Sequence, residues 1–512
     1  MTDSGRPSVC VIGAGAAGLM VADSLARAGC RVTIVEGGAE RPIDQLEDTF
    51  RVRLTGTPHR GVHEGRFRGM GGSTTRWGGQ LWPWESYEFE ARPYLGLDGW
   101  PIGFGDVAPW YDRAFSALGI SHPTLSPGEA AARGALPPPL DPQEFALKYS
   151  TWLPWRLRNL ARTIGRRATR NPNVAVQLRT TAVGIEAAGP GARATGVRVS
   201  DPHGRTHTIA ADAIVLACGT VESTRLLFAC QGIGVPSAWL GRGFMDHLSV
   251  RIARFIPRNW SAFDAMFAPV FVRDVQFTPR MLLRPHALER EGLLSSYGHW
   301  DIALPPGSGL SVVREKLRAV QAGGSFSVSA ADLRSVRRGV QEVISLARGV
   351  LIDHRRHFPR DAAIHLRVDS EQQPDGASRL VPTGEHDALG LPRLALDWQV
   401  SPLERHTVRR TAQLLGAELE RTGVGALTDD DDPFAEGREW GALLGDSFHM
   451  MGGTRMALDA SNGVVDRDAR VFGTENVYVA GASVFPTGGM ANPTLTLLAL
   501  ALRLANHLVR TF

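Results

Sequence analysis

Two apolar runs, separated by a glycine-rich turn and a helical pattern, open the chain. Residues 8–12 are nearly all apolar and end at a turn in which Gly13, Gly15 and Gly18 are interspersed with alanines. Apolar residues at helical spacing follow, and a second apolar run ends at Glu36. A short apolar run bounded by turn residues predicts a buried strand, so this order predicts strand, helix and strand joined by a parallel crossover.

Apolar and polar residues alternate with a period of two from Val174 onward, which predicts half-buried strands. Four such stretches precede an apolar strand that ends at Gly219, and they are 174–178, 181–187, 194–200 and 207–211. Residues 245–445 contain further alternating stretches at 253–257, 363–368 and 393–400, and a long helix over 402–421. A basic helix is predicted over 156–170. The final part returns to the first pattern, with a strand at 477–480 and a helix from about Pro493.

The composition is that of an ordinary globular protein of 512 residues, of which 43% are hydrophobic and 21% charged. The net charge is +4, and the arginines are scattered rather than aligned, so nucleic-acid binding is not expected. A strand by residue 8 leaves no room for a signal peptide, and the apolar stretch 495–508 is too short for a transmembrane helix, so a cytoplasmic setting is expected. Cys10, Cys30, Cys218 and Cys230 form no Cys-x-x-Cys pair, so no metal or iron–sulfur site is predicted.

The glycine turn and Glu36 predict a dinucleotide site. One glycine permits the tight bend, one lets a pyrophosphate approach the backbone, and one lets the helix pack close to the strand. The helix N-terminus offers N–H groups and a positive dipole end to phosphates. Glu36 follows Gly18 by 18 residues, where a carboxylate can accept hydrogen bonds from both ribose hydroxyls. This pattern alone does not distinguish NAD from FAD.

Four separated segments resemble the glucose–methanol–choline (GMC) oxidoreductases. They are the N-terminal glycine turn, GGSTTRWGG at 71–79, SEQQPDGASR at 370–379 and the block from His449 to Asn492. The pattern and the resemblance together predict an α/β fold. Its Rossmann-like FAD-binding domain has a parallel sheet with helices and a β-meander, and its substrate domain has an antiparallel sheet flanked by helices. The expected ranges are 1–95, 150–244 and 455–512 for the first domain, and 96–149 and 245–454 for the second.

The resemblance implies that FAD is bound non-covalently, because Arg76 stands where some members carry a histidine that bonds to the cofactor. It also places the turns at 217–219 and 481–482 near the flavin. The residues expected to bind FAD are Gly13, Gly15, Ala16, Ala17, Gly18, Glu36, Gly37, Gly71, Gly72, Ser73, Thr74, Trp77, Gly78, Gly79, Ala182, Val183, Ala217, Cys218, Gly219, Gly481, Ala482, Asn492, Pro493 and Thr494.

Removal of a hydride from a C–H bond requires that the neighbouring O–H lose its proton, so the site needs a base and a group that orients the oxygen. By resemblance, His449 matches the catalytic histidine of the family, and Asn492 matches a second position that is His or Asn among relatives. An amide has no usable basicity, which leaves the base role to His449. Asn492 also precedes Pro493 and an apolar helix, so an N-cap role is a second interpretation that is compatible with the first.

The expected activity is FAD-dependent oxidation of a CH–OH group of a sugar, glycoside or other polyol to the carbonyl. The segments HMMGGTRM and FPTGGMANPT are similar to those of sugar-oxidising members such as pyranose oxidases and sugar dehydrogenases. Gln80 and Trp82 are expected to face the substrate, with Trp77 and Trp84 as further candidates, whereas His247 and Arg455 are expected to be structural.

Three alternatives stay open from the sequence. Two keep a catalytic site, namely oxidation of a non-sugar alcohol and a non-redox flavin-containing lyase of the same fold. The third, a non-enzymatic FAD-binding subunit, is disfavoured because it would not need His449 and Asn492. The sequence does not distinguish an oxidase from a dehydrogenase, and it does not identify the electron acceptor (O₂, a quinone or a dye-like molecule) or the oligomeric state.

Overall fold

The computed structural model of the protein describes residues 6–42, 48–189, 191, 193–230, 232–303, 309–321, 348–360, 362–428, 433–435 and 444–512. Within these residues the mixed α/β fold is confirmed. The two predicted domain ranges include stretches that lie outside the described residues, and the division at those boundaries stays a prediction.

Five parallel strands form the first sheet. In spatial order they are β20 (Val477–Val479), β10 (Ala213–Leu216), β1 (Ser8–Ile12), β2 (Arg31–Glu36) and β6 (Val174–Leu178). Helix α1 (Ala16–Arg27) makes the predicted crossover between β1 and β2, and it packs against α12 (Thr494–Thr511), which also contacts α3 (Phe104–Ala117). The carboxyl ends of β1, β2, β10 and β20 therefore meet at one edge of the sheet, where open α/β sheets bind ligands.

Strand β6 lies in a different sheet from the one expected. Its alternating pattern was expected to belong to the meander, but it pairs in parallel with β2 at the edge of the first sheet. An edge strand is covered less completely than a central one, and β6 is accordingly half-buried along most of its length, which explains the mixed pattern. The other three alternating stretches form the predicted antiparallel meander of β7 (Thr181–Ala187), β8 (Ala194–Ser200) and β9 (Thr206–Ala210).

A large antiparallel sheet forms the second layer, as predicted. Its main path runs through β18 (Gly425–Leu427), β11 (Leu248–Pro257), β15 (Ala363–Ser370), β14 (Ser296–Ala303), β13 (Val275–Leu283), β5 (Phe145–Trp152) and β4 (Gln80–Leu81), with β12 (Val270–Val272) paired to β13 and β19 (Gly445–Asp446) paired to β11. Helix α11 (Pro402–Arg421), at the predicted bounds, packs against β14 and β15. One face of this sheet is sealed by an aromatic cluster in which Phe255, Phe263 and Phe267 surround Trp300 with ring centroids 4.6–5.2 Å away.

The stretch at 393–400 forms a strand, but not in the large sheet. It lies in a three-stranded sheet with the order β16 (Arg379–His386), β17 (Pro392–Asp397) and β3 (Val52–Leu54), and the last pair is parallel. This small sheet has its own apolar core around Trp398 and Leu396, which are fully buried.

The basic segment at 156–170 is not one continuous helix, which corrects a second expectation. It divides into α5 (Trp155–Arg158), a 3-10 turn (Leu160–Arg162) and α6 (Ile164–Thr169). The break occurs at Asn159, whose backbone is extended and whose side chain accepts a hydrogen bond from Ala161 N at 3.1 Å, a local bond that competes with the helix.

The remaining described helices are short or peripheral: α2 (Gly61–Glu64), α4 (Pro127–Ala131), α7 (Gly219–Ala229), α8 (Trp260–Phe267), α9 (Pro285–Glu291) and α10 (Gly309–Gln321). In the described part of the chain, none of the helices combines the length and the apolar character that crossing a bilayer requires.

Candidate functional site

A cavity of about 1020 Å³ lies between the two main sheets. One side is formed by the turns after the parallel strands, including Gly13, Gly37, Ala217 and Gly481. The other side is formed by residues of the antiparallel sheet, including Asp369. A volume of this size is at the upper end for small-molecule sites, which suits an extended ligand.

The turn after β1 has the steric features that the three predicted glycine roles require. Gly13 has φ +106°, and a Cβ there would lie 2.6 Å from the carbonyl oxygen of Ala217, so the bend requires glycine. A Cβ on Gly18 would lie 2.0 Å from the oxygen of Gly13, so the helix packs directly on the turn. A Cβ on Gly15 would meet no heavy atom within 4 Å, because this position opens on the cavity.

Glu36 connects two glycine loops. Its buried carboxylate accepts hydrogen bonds from Ala14 N at 2.9 Å, Gly38 N at 2.8 Å and Gly69 N at 2.9 Å. A carboxylate has about four acceptor positions, so three are used by the polypeptide and one is left for a ligand. Glu36 thus fixes the shape of the turn as well as lining the cavity, and its expected bond to a ribose stays a prediction.

The segment 71–79 lies directly against this turn. Gly71 N donates to Ala14 O at 2.8 Å, and residues Gly72–Thr75 form a 3-10 helix beside Gly15. Trp77 is anchored by its indole N–H, which donates to Arg158 O at 2.7 Å. Two of the four segments that carry the family resemblance therefore form one continuous wall.

Most of the predicted site residues line this cavity. The five that do not are Gly18 and Gly71, which pack behind the wall, Val183, Trp84, and Trp82, which is only 3% exposed. Trp82 lies edge-on behind Tyr297, with ring centroids 5.2 Å apart, so it supports the wall rather than facing a ligand. Gln80, the other residue expected to face the substrate, does line the cavity.

His449 and Asn492 meet at the cavity wall. The side-chain nitrogen Nδ2 of Asn492 lies 3.0 Å from Nε2 of His449, and its buried Oδ1 has no hydrogen-bond partner among the described residues. The following helix begins at Thr494 with Pro493 in the N-cap position, so the N-cap role considered for Asn492 is wrong. Its side chain is directed at the imidazole, and an unpaired buried oxygen is costly unless a ligand satisfies it.

The loop that carries Asn492 is fixed by buried polar groups. Trp84 donates from its indole N–H to Ala491 O at 3.1 Å, and Glu88 accepts from Met490 N at 2.8 Å. Glu371 accepts from Gly489 N at 3.0 Å, and its charge is balanced by Arg92 at 2.5 Å. Burial raises the pKa of Glu88 to about 8. Trp84 is therefore a buried positioning residue and does not line the cavity.

The loop that carries His449 is fixed by Asp246. This buried carboxylate accepts from the backbone N–H of His449 at 2.9 Å and lies 3.1 Å from Nε2 of His59. Phe448, the preceding residue, has φ +62°, a strained conformation for a bulky side chain and one that is common at functional sites. Burial lowers the pKa of His449 to about 4, so the ring is neutral at physiological pH.

His247 contacts His449 directly, although the sequence indicated only a structural role for it. Met245 and Met451 form an antiparallel bridge, which places residues 247 and 449 opposite each other. The two Nδ1 atoms lie 3.0 Å apart, and Nε2 of His247 lies 3.2 Å from the carbonyl oxygen of Gly488. No local signal in the sequence predicts this pair, because the two histidines lie 202 residues apart in the chain.

A polar face of the antiparallel sheet closes the cavity. Ser249, Asp369 and Tyr297 lie side by side on three neighbouring strands, and the carboxylate accepts from Ser249 Oγ at 2.5 Å and from the Tyr297 hydroxyl at 2.6 Å. Burial alone would raise the pKa of Asp369, but the nearby His299 ring and these hydrogen bonds hold it well below its usual range. Arg367 donates to Ser249 Oγ at 2.9 Å. We call Ser249, Tyr297, Arg367 and Asp369 the polar wall.

A buried group of His59, Asp246 and Asp446 lies near the site, with possible ligand atoms within 4.8 Å of one another. The possible ligand atoms already accept hydrogen bonds from the backbone. His59 Nδ1 accepts from Val62 N at 3.0 Å, and Asp446 accepts from Arg60 N at 2.6 Å. These hydrogen bonds order the loop before His449. The expectation that the protein holds no metal stays a prediction.

Comparison with known proteins adds family matches to this geometry. Residues 8–237 match the family described as FAD dependent oxidoreductase, and residues 374–501 match the family described as GMC oxidoreductase. The second match contains both His449 and Asn492. The C-terminal part of this chain is a GMC oxidoreductase domain.

Proteins similar to this chain include paromamine 6'-oxidase of Streptomyces fradiae, 24% identical over 97% of this chain and 90% of the relative. The C-glycoside 3-oxidase of Microbacterium trichothecenolyticum is 38% identical over 24% of this chain and 22% of the relative. Among solved structures, pyridoxine 4-oxidase from Mesorbium loti has a TM-score of 0.56 at 16% identity, covering 98% of this chain and 99% of that one, which shows the shared fold.

The cavity fits the FAD that proteins with these two matched domains bind. The opening at Gly15 faces the N-terminus of α1, whose first backbone hydrogen bond runs from Leu19 N to Gly15 O, so the N–H groups of residues 16–18 lie at the helix end, where an anion is favoured. Asn492, whose Oδ1 is unpaired among the described residues, and Thr494 at the N-terminus of α12 line the same cavity. Arg76, which stands where some relatives carry the FAD-bonding histidine, also lines the cavity. That FAD is attached non-covalently stays a prediction.

Proposed function

We propose that this protein oxidises a CH–OH group of a sugar, a glycoside or another polyol to the carbonyl, with His449 as the base and Asn492 as the group that orients the oxygen. The observation that carries the proposal is the 3.0 Å contact between Nε2 of His449 and Nδ2 of Asn492 on the wall of the FAD cavity. A hydroxyl oxygen that lies beside both groups can give its proton to Nε2 and keep a hydrogen bond from the amide.

When bound, FAD supplies a hydride acceptor for the carbinol carbon. The chain itself supplies the proton acceptor and the alignment. His449 is neutral at physiological pH because burial lowers its pKa to about 4, so its lone pair is available to remove the hydroxyl proton. Asn492 is held by a loop whose backbone is anchored at three successive residues, which fixes the distance between the two groups.

The polar wall supports a polyhydroxylated substrate over a simple alcohol. Asp369 is an ionised acceptor on the cavity lining, and Arg367 and Gln80 offer further polar groups on the same face. Asp369 and Arg367 have partners in the protein, but Nε2 of Gln80 is buried with none among the described residues, and a second substrate hydroxyl could accept its hydrogen bond. The relatives named for paromamine and for C-glycosides act on sugar-containing molecules, which agrees with this chemistry.

Anaerobic mixing of the FAD-loaded enzyme with single compounds tests the proposal. We expect loss of the visible flavin absorbance with some sugars, glycosides, amino sugars or cyclitols, and none with short aliphatic alcohols at equal concentration. Bleaching by aliphatic alcohols alone would favour a non-sugar alcohol oxidase. Consumption of substrate without any bleaching would favour a lyase.

His449→Ala should abolish bleaching, and His406→Ala is the matched control because His406 is exposed on α11. Bleaching by His449→Ala within a few-fold of the wild-type rate would contradict the base assignment. Admitting O₂, a quinone or a dye to the bleached enzyme then identifies the class of electron acceptor by the rate at which absorbance returns.

A further inference from the structure

His247 forms the middle of a chain of hydrogen-bonding groups that ends at a carbonyl. Asn492 Nδ2 lies 3.0 Å from His449 Nε2, the two histidine Nδ1 atoms are 3.0 Å apart, and His247 Nε2 is 3.2 Å from Gly488 O. Each ring therefore uses both of its nitrogens. The protons in such a chain can be placed by asking which groups are able to donate.

The carbonyl oxygen of Gly488 can only accept a hydrogen bond, so Nε2 of His247 must carry a proton. His247 is only 3% exposed, and burial favours the uncharged form of a ring, which carries a single proton. Its Nδ1 is then an acceptor. Since Nδ1 of His449 faces this acceptor, it must donate, and the one proton of the neutral His449 lies on Nδ1.

We propose that His247 is a positioning residue that holds the proton of His449 on Nδ1 and thereby leaves Nε2, the nitrogen beside Asn492, as the base. The inference rests on the proposed function, because it assigns the atom that removes the substrate proton. In the opposite tautomer Nε2 would carry the proton, and the enzyme would present a donor where an acceptor is needed.

The same contact also serves the step after proton removal. The proton from the substrate hydroxyl moves to Nε2, and the resulting imidazolium keeps its Nδ1–H on the lone pair of His247. A hydrogen bond from a charged donor is stronger than one from a neutral donor, so the contact strengthens as the charge forms. His247 thus stabilises the protonated base without touching the substrate.

Several charged and titratable groups surround the two rings. Asp246 binds the backbone N–H of His449 and pairs with His59, and Asp369 lies near enough to favour the protonated form of His449. Glu371 lies behind Gly488, where a Cβ would be 3.6 Å from its Cγ and 3.8 Å from Nε2 of His247. All of these groups stay in place when His247 alone is changed, so a change in the behaviour of His449 can be assigned to His247.

Two substitutions separate positioning from simple packing. His247→Leu fills a similar volume but offers no acceptor, whereas His247→Asn places an amide oxygen near the former Nδ1. We expect His247→Leu to lower kcat per bound flavin about tenfold to 100-fold, the range for groups that orient a histidine, with KM nearly unchanged. We expect His247→Asn to recover most of that loss.

The pH dependence of kcat/KM would stay unchanged if His247 only filled space, so it distinguishes positioning from packing. As a neutral acceptor of the Nδ1–H bond, His247 favours the protonated form of His449, so its removal in His247→Leu should shift the acid limb of kcat/KM to lower pH. A kcat per flavin within about twofold of wild type with an unchanged pH profile, or equal loss in both variants, would overturn the proposal.

Long-range ¹H–¹⁵N spectra of the ¹⁵N-histidine-labelled enzyme test the tautomer without any substrate, and His449→Gln identifies the resonances. We expect Nδ1 of His449 to be protonated and Nε2 to be bare, and the reverse pattern would refute the inference. Because this measurement needs no turnover, it stays decisive for His247 even if no polyol bleaches the flavin, an outcome that would count against the proposed function alone.

Discussion

Replacement of Gly15 by alanine should separate FAD binding from folding. The backbone at Gly15 has φ −79° and ψ −166°, which alanine adopts without strain. The added Cβ would meet no heavy atom of the protein within 4 Å, and it would project into the opening that we assign to the pyrophosphate. The substitution is therefore harmless to the polypeptide and harmful to the ligand.

The two effects have opposite signs. Alanine in place of glycine at a compatible position stabilises the folded chain by about 0.4–1 kcal/mol, because the unfolded chain loses freedom. Displacing a phosphate from one backbone N–H weakens a hydrogen bond to a charged group, worth about 1.5–3 kcal/mol. That loss corresponds to a rise in Kd of about tenfold to 100-fold.

Gly13→Ala is the matched control. Its φ is +106°, and its Cβ would lie 2.6 Å from Ala217 O, so it should unfold more easily with or without FAD. Thermal unfolding at increasing FAD concentration measures both effects, since a ligand that binds only the folded state raises Tm. If Gly15→Ala shows the wild-type increase in Tm with FAD, the pyrophosphate does not lie at this turn and its assignment to the opening at Gly15 is wrong.

Four further changes test the rest of the site. Because the pKa of His449 is lowered to about 4 and the base must be neutral, kcat/KM of the wild type should stay level down to about pH 5 and then fall with a single proton, whereas an acid limb near the ordinary histidine value would contradict this assignment. Asn492→Asp puts a carboxylate beside Nε2 of His449, so the acid limb should move to higher pH and kcat should fall; an unchanged profile would argue against the contact. Asp369→Asn should raise KM for the best polyol about tenfold or more with little change in kcat, as steady-state kinetics would show, and an unchanged KM would remove Asp369 from the binding surface. Trp84→Phe leaves the carbonyl of Ala491 without its donor, so Tm should fall by an amount equivalent to about 1–3 kcal/mol and kcat should fall with it; a lower Tm with unchanged kcat would mean that Asn492 does not depend on this anchor.

Elements with their own local signals were predicted correctly from the sequence. The helix at 402–421 begins after Ser401, which forms a capping box with Glu404, and its bounds match the prediction. The glycine turn was equally local, since its three glycines lie within six residues and each has a separate steric reason. The prediction of one helix over 156–170 was wrong because the hydrogen bonds made by Asn159 outweigh a helical pattern that the arginines alone suggested.

The site residues that the sequence missed depend on contacts between distant segments. His247 was assigned a structural role because nothing near it in the chain indicates the bridge between Met245 and Met451 that sets it against His449. Trp82 was expected at the substrate because tryptophans often line sugar sites, yet it packs against the ring of Tyr297, which lines the cavity instead. Residue type alone does not decide which side of a wall an aromatic ring occupies.

The polar wall shows why alternation along single strands does not predict which side chains come together in a binding site. Alternation along β11, β14 and β15 indicates which residues of each strand share a face, but not which strands are neighbours or in what register. Ser249, Asp369 and Tyr297 form one row only because β15 pairs with β11 on one side and β14 on the other, with Asp369 opposite both partners. A register shift of one residue would turn Asp369 to the aromatic core, where an ionised carboxylate has no donors. The hydrogen bonds of this row therefore stabilise the register and shape the substrate face at the same time, so substitutions in it must be judged by both stability and KM.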